Sequence, residues 1–302
     1  MSSSILEQVV GTVAAGVLAV AAVLGQPSPA SPSASSTRDP LADAVEGQLR
    51  SQGPLTSVPG TGTTGVDISW PNCPTGMGIA ARRTLGKPLP GPGARYVIIG
   101  LTNGPGFHPN PCLGDQVAYV RALHRWTAAY AVVTYPVPAE LQAYAAAGPR
   151  AADSRSGRLY NTGWAQATAN VARMRHAGLR SPILWLDVEP VRPPTPWSSS
   201  TRDNRTVLEG SMAAYRQAGL RLGVYSTTYL WRSIVGDARY GLPEWRPAGP
   251  TGRAAALELC GRGDVQGSDP VLVQWSSTDV DTDALCPGRP AEDVLREYFA
   301  AP

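Results

Sequence analysis

Residues 174–187 read MRHAGLRSPILWLD, and residues 215–228 repeat the pattern as YRQAGLRLGVYSTT. In both, a helical stretch ends in Ala-Gly-Leu-Arg and an apolar, β-rich run begins at once. Gly178 and Gly219 stand where a helix closes in the left-handed conformation that glycine adopts without penalty, and Leu179 and Leu220 are placed to fold back on the helix. A repeated helix-to-strand joint is the connection of an α/β fold with parallel strands.

Working outward from the joints, buried-strand runs alternate with helical patterns. The strands are GVDISW, RYVIIGLT, YAVVTYPV, PILWLDVE, RLGVYST and VLVQWSS, and the helical stretches between them cover 115–126, 163–177 and 207–218. A sixth strand, ahead of VLVQWSS, is read from either PEWRP or ALEL. The span 65–302 is close to the roughly 250 residues of an eight-stranded barrel. A (β/α)8 TIM-type barrel, irregular in places, is therefore expected, with an open doubly wound sheet as the rival. Acids at the C-terminal ends of several strands favour the barrel, because barrel enzymes assemble their sites there.

The most informative of these ends is ILWLDVEP, residues 183–190. Strand side chains alternate between faces, so Leu184, Leu186 and Val188 share the helix-packing face while Ile183, Trp185, Asp187 and Glu189 point inward. Two acids on one inward face, with backbones roughly 6–7 Å apart, suit a pair flanking a glycosidic bond. Like charges at short range drive their pKa values apart, which lets one acid stay protonated and the other ionised. A lone strand-end acid would be read as a helix cap or a salt-bridge partner. Asp67 in VDISW, on the face of Ser69, and Asp281 and Asp283 after the last strand repeat the pattern. Tyr135, Trp185, Tyr225 and Trp275 are candidate aromatic walls for a sugar face, and Asp283 is a further candidate for substrate binding.

Composition sets the outer bounds. Hydrophobic residues make up 43% and charged residues 16%, which allows a substantial core. The net charge of +3 is carried almost wholly by scattered arginines, with Lys87 the single lysine, so no basic run marks a nucleic-acid partner. Residues 8–25, QVVGTVAAGVLAVAAVLG, form an uncharged apolar stretch, followed by small residues at Ser28-Pro29-Ala30. We read 1–30 as a secretory signal, with an uncleaved membrane anchor as the alternative because Glu7 precedes the stretch and no Lys or Arg does. Residues 31–64, rich in Ser, Pro, Thr and Gly, form a linker that has room for a short helix near Asp43–Leu49. Residues 65–302 form the barrel. The chain is expected outside the cytoplasm, secreted or cell-wall associated, and monomeric.

Cys73, Cys112, Cys260 and Cys286 suit an exported domain. Four cysteines allow three pairings, and their split into an early and a late pair suggests Cys73–Cys112 and Cys260–Cys286. No cysteine or histidine spacing is that of a zinc site, and neither a metal nor a cofactor is implied. Gly60, Gly62 and Gly65 spell GxGxxG, but a proline-rich segment precedes it and a strand follows, the reverse of a dinucleotide fold.

Taken together, Asp67-Ile-Ser69, the TYPV strand, LDVE, the VYST strand and VQWSS with the following VDTD resemble glycoside hydrolase family 25, the N,O-diacetylmuramidase type of lysozyme, over most of 65–302. The resemblance implies a β/α barrel that cleaves the β-1,4 bond between N-acetylmuramic acid and N-acetylglucosamine in peptidoglycan. It implies Glu189 as general acid and Asp187 as the group that stabilises positive charge or orients the acetamido group. Asp67 and Asp281 would complete the acidic cleft. The sequence departs from the family in continuing the first strand as WPNCP, and GLTNG and TYPV replace its lysine-bearing second and histidine-bearing third strands.

Other readings fare worse. Chitinase-like enzymes of family 18 also end a strand in DxE, but Trp185 and Pro182 occupy the positions of their further aspartates. There is no GxSxG elbow, and His108, His124 and His176 fit no HExxH motif. GRGD at 261–264 is taken as a chance loop sequence. The rival from another class is a non-catalytic wall-binding barrel, against which Glu189 argues.

Overall fold

A computed structural model describes residues 63–191, 197–277 and 279–302. The expected signal, linker and helix near Asp43–Leu49 lie outside them. Eight strands close into a barrel in chain order: β1 (Thr64–Ile68), β2 (Tyr96–Gly100), β3 (Trp126–Val132), β4 (Ile183–Asp187), β5 (Arg221–Tyr225), β6 (Glu244–Pro247), β7 (Pro270–Ser276) and β8 (Asp281–Leu285). The helices are α1 (Leu113–Ala122), α2 (Pro138–Tyr144), α3 (Arg155–His176), α4 (Thr201–Gln217), α5 (Thr228–Val235), α6 (Arg253–Glu258) and α7 (Ala291–Tyr298).

The barrel is irregular at its closure. Strands β1 to β7 run parallel, but β8 is antiparallel to both β7 and β1. The cause is local. Ser277 and Val280 close a hairpin by mutual hydrogen bonds, and a hairpin that short can only return the chain antiparallel. The sixth strand is EWRP; ALEL falls instead in α6 and the turn after it.

Both Ala-Gly-Leu-Arg joints form as read. Gly178 and Gly219 have φ of +67° and +85°, and the Leu179 and Leu220 amides donate to the carbonyls of Met174 and Tyr215. Element boundaries differ more. Helix α1 stops at Ala122, because His124 turns left-handed (φ 51°), and the third strand starts at Trp126 rather than Tyr130. Helix α3 begins eight residues before Gly163, at a Ser154 cap whose side chain accepts from the Gly157 amide. Helices α3 and α4 approach closely through glycines. A Cβ on Gly163 would lie 2.0 Å from the Val207 carbonyl oxygen, and one on Gly210 2.0 Å from that of Tyr160.

The barrel interior is aromatic, and glycines on neighbouring strands make room for it. Gly65 lies opposite Tyr96, Gly100 opposite Tyr130 and Gly223 opposite Trp185. A Cβ on any of the three would come within 2.2–2.6 Å of the ring or its surroundings. Gly65 is thus a strand residue packed under an aromatic ring, which removes the dinucleotide reading of GxGxxG. Helix α7 and Phe299 plug the end where the strands begin, with Tyr96 and Phe299 4.7 Å and Trp185 and Tyr298 6.2 Å apart between ring centroids. The opposite end is left open.

Cys73–Cys112 ties the β1–β2 loop to the start of α1, and Cys260–Cys286 ties the turn after α6 to the end of β8, the pairings expected from sequence. In the GRGD loop, Arg262 pairs with Glu258 and Asp264 with Arg239, so the loop's charges are engaged within the chain. Among the described residues, no helix is long and apolar enough to cross a membrane.

Candidate active site

The open end of the barrel holds two adjoining cavities of about 340 and 280 Å3. Asp187 and Glu189 line both, and Asp67, Tyr225 and Asp281 line the second. Asp187 reaches the mouth as the last residue of β4, and Asp67 as the last inward-facing residue of β1. Asp281 reaches it for the opposite reason. It begins β8, and the reversal of that strand brings its first residue to the ends of its neighbours, directly across from Asp67.

Glu189 lies beyond the end of β4, yet its backbone is fixed. The Val188 amide donates to the Tyr225 carbonyl (3.0 Å), Ser226 Oγ donates to the Val188 carbonyl (2.8 Å), and Trp197 Nε1 donates to the Glu189 carbonyl (2.9 Å). The carboxylate of Glu189 is therefore presented from a held main chain. A polar relay crosses the floor: Tyr225 donates to Gln274 Oε1 (2.7 Å), and Gln274 Nε2 donates to Asp67 Oδ2 (2.6 Å). Oδ1 of Asp187 is buried with no hydrogen-bond partner among the described residues.

Burial dominates the electrostatics. It raises Asp187 well above the ordinary carboxylate range, joined by the charges of Glu189 and Asp67 and opposed by Arg82. Burial also raises Glu189, with Arg82 pulling it down and Asp281 pushing it up. Asp67 is raised by burial and by Asp281, and Asp281 by burial against the charge of Lys87. Acids this close share protons rather than ionise independently. The arrangement favours a protonated carboxyl beside an ionised one.

Four of the sequence-selected residues lie elsewhere. Trp185 faces inward as read, but one layer deeper, fully buried and edge-on to Trp245. Asp283 is also inward and fully buried below the cleft, accepting from Trp245 Nε1 (2.8 Å). Trp275 falls on the outer face of β7, packed with the Cys260–Cys286 pair, because alternation turns Gln274 and Ser276 inward instead. Tyr135 lies past the end of β3, where its hydroxyl accepts from Arg155 Nη2 (2.7 Å). None of the four lines either cavity.

The cleft also holds residues the sequence reading passed over. Tyr130 and Gln274 follow from strand alternation once β3 starts at Trp126 and β7 is in register. Trp70 and Arg82 come from the long β1–β2 loop, and nothing local marks them. Arg82 lies 5.7 Å from the centroid of the Trp70 ring. Its stem crosses Gly104, where a Cβ would come within 2.4 Å of Arg82 Cδ. No group of three or more His, Cys, Asp or Glu among the described residues is arranged to hold a metal ion.

Fold and site together define an α/β barrel with an acidic cleft at its open end. Residues 155–245, from the start of α3 to within β6, match the family model described as Lysozyme-like protein 1. That span includes Asp187, Glu189 and both Ala-Gly-Leu-Arg joints. Lysozyme-like protein 5 of Caenorhabditis elegans is 31% identical over 86 residues, which cover 28% of this chain and 38% of that relative. Among solved structures, the bacterial lysozyme of Streptomyces coelicolor is similar at a TM-score of 0.49 and 14% identity, covering 78% of this chain and 97% of its own. GHIP, a glycosyl hydrolase 25 of Streptococcus pneumoniae, is similar at the same TM-score and identity over 87% of this chain and all of its own. Superpositions this loose carry no residue roles across.

Proposed function

We propose that this protein is an exported muramidase, a glycoside hydrolase that cleaves the β-1,4 bond between N-acetylmuramic acid and N-acetylglucosamine in peptidoglycan. One observation carries the reading: Asp67, Asp187, Glu189 and Asp281, from three separate strands and their ends, line one open cleft. Burial raises both carboxyls, and the charge of Glu189 further opposes ionisation of Asp187, so the setting favours a proton held within the pair. Glu189 is the more exposed of the two and passes that proton to the leaving glycosidic oxygen. Asp187, with an unpartnered Oδ1, then carries the negative charge that faces the developing positive charge on the sugar or orients its acetamido group. Asp67 and Asp281 bind the sugar and tune the pair, and Tyr225 contributes an aromatic wall.

The same reading divides the chain into a signal or anchor at 1–30, a linker at 31–64 and a barrel at 65–302 that acts as a monomer. The two disulfides accord with an oxidising compartment outside the cytoplasm.

The test is reducing-end release from purified peptidoglycan by wild type and Glu189→Gln. Release by wild type that collapses in the variant is expected. Equal, negligible release from both, with tight pelleting on the wall, would instead identify a glycan-binding barrel without turnover.

A further inference from the structure

Four consecutive strands of this barrel have an arginine at or just before their start. Arg95 precedes β2, Arg125 precedes β3, Arg180 lies three residues before β4, and Arg221 opens β5. These positions place guanidinium groups around the plugged end, opposite the acids. Two of them have acidic partners: Arg95 pairs with Glu292, and Arg221 lies 3.7 Å from Glu297 and 5.4 Å from the Tyr298 ring centroid.

Arg125 and Arg180 differ. Together with Arg121 of α1 they line a cavity of about 280 Å3 whose other walls include Thr127, Gly178 and Pro302. None of the three arginines makes an ion pair with a carboxylate among the described residues. Arg121 Nη2 donates to the Gly178 carbonyl (2.9 Å), and Arg125 Nη2 donates to that of Pro92 (3.1 Å). Arg125 Nε is buried with no hydrogen-bond partner among the described residues. The three guanidinium groups make the cavity positive.

The two Ala-Gly-Leu-Arg joints make this a matched contrast. Arg180 and Arg221 end the same four-residue motif at the same helix-to-strand turn, yet among the described residues only Arg221 meets an acid. Carbonyls orient Arg121 and Arg125 without neutralising them, and the planar fork of arginine suits the paired oxygens of an oxyanion.

We propose that the cavity formed by Arg121, Arg125 and Arg180 is an oxyanion-binding site for phosphate or carboxylate groups, at the end of the barrel opposite the acidic cleft. Its occupation leaves the cleft open. The assignment stands on this charge arrangement and is independent of the cleft's activity.

The test titrates the full chain with inorganic pyrophosphate and, separately, with triglutamate, following the arginine Nε–H resonances by NMR. A saturable shift at Arg125 is expected with at least one probe, weakening with added salt. Saturation by pyrophosphate alone assigns a phosphate ligand, by triglutamate alone a carboxylate, and by both a general oxyanion site. Arg180→Gln, which removes a side chain with no bonded partner among the described residues, should weaken binding about tenfold. Arg221→Gln should leave it unchanged. Failure of both probes to saturate, or equal weakening by Arg180→Gln and Arg221→Gln, would overturn the proposal.

Discussion

Asp281 and Asp283 sit two residues apart on β8 and face the same way, yet they belong to different chemistries. Asp281 lies in the open cleft across from Asp67. Asp283 lies across from Gly65, fully buried and held by the indole of Trp245. The same step separates Asp187 from Trp185 on β4. One layer of the barrel is a polar mouth, and the layer beneath is a sealed aromatic floor. Alternation sets the face of a side chain but not its depth, and depth decides whether it meets solvent and substrate or only other side chains.

The largest effect should come from the mouth. Glu189→Gln is expected to lower reducing-end release about 10²–10⁴-fold with the fold intact by circular dichroism. Trp275→Phe, on the outer face, should leave turnover at the wild-type level. A matching loss in Trp275→Phe would break the distinction between inward and outward aromatics on β7.

The floor should respond in stability instead. Trp185→Ala removes a fully buried ring from the barrel centre and should cost about 3–5 kcal/mol in chemical denaturation. Gly223→Ala forces a Cβ to 2.3 Å from that ring and should cost about 1–3 kcal/mol. In a Trp185→Leu background the Gly223→Ala penalty should shrink. An undiminished penalty would show that Gly223 is required by its backbone and not by the indole.

The smallest effect separates the two acids by pH. Burial, then the charge of Asp67, raises Asp283 well above the ordinary carboxylate range, with the Trp245 N–H acting the other way. A carboxyl raised in the folded state favours the protonated fold. Its stabilisation is therefore full below the unfolded value and is lost as pH climbs through the folded one. Wild-type stability should rise as pH falls from neutral toward the acid range, by about 1.4 kcal/mol for each unit by which the carboxyl is raised. Asp283→Asn keeps an acceptor for Trp245 and should flatten that dependence in denaturant melts from pH 5 to 8. An unchanged slope would assign the dependence to the cleft acids.

Much of this was legible beforehand for identifiable reasons. The Ala-Gly-Leu-Arg joints announced parallel strands because helix termination by glycine is a local event. ILWLDVEP announced two inward acids because the strand period is two. The early and late cysteine pairs joined as their spacing suggested. Trp275 is an aromatic whose place in the strand period turns it outward, so residue type alone does not put it in the cleft. Tyr135 stands apart because the third strand ends at Val132, three residues short of it, where no local signal marks the end. Arg82 had no local signal, since a long loop delivers it and its seat depends on Gly104 and Trp70.

Sequence alone determined the α/β class, the repeated joints, the alternation that turns Asp187 and Glu189 inward and the acids available for a cleft. Each depends on a period or a terminator spanning a few residues. Only the tertiary structure decided that β8 runs backwards and so brings Asp281 to the mouth. It also decided that Trp185 and Asp283 are sealed beneath it, and that Arg221 meets Glu297 while Arg180 meets no acid among the described residues. Those outcomes depend on strand direction, layer depth and partners from distant parts of the chain, which no local pattern encodes.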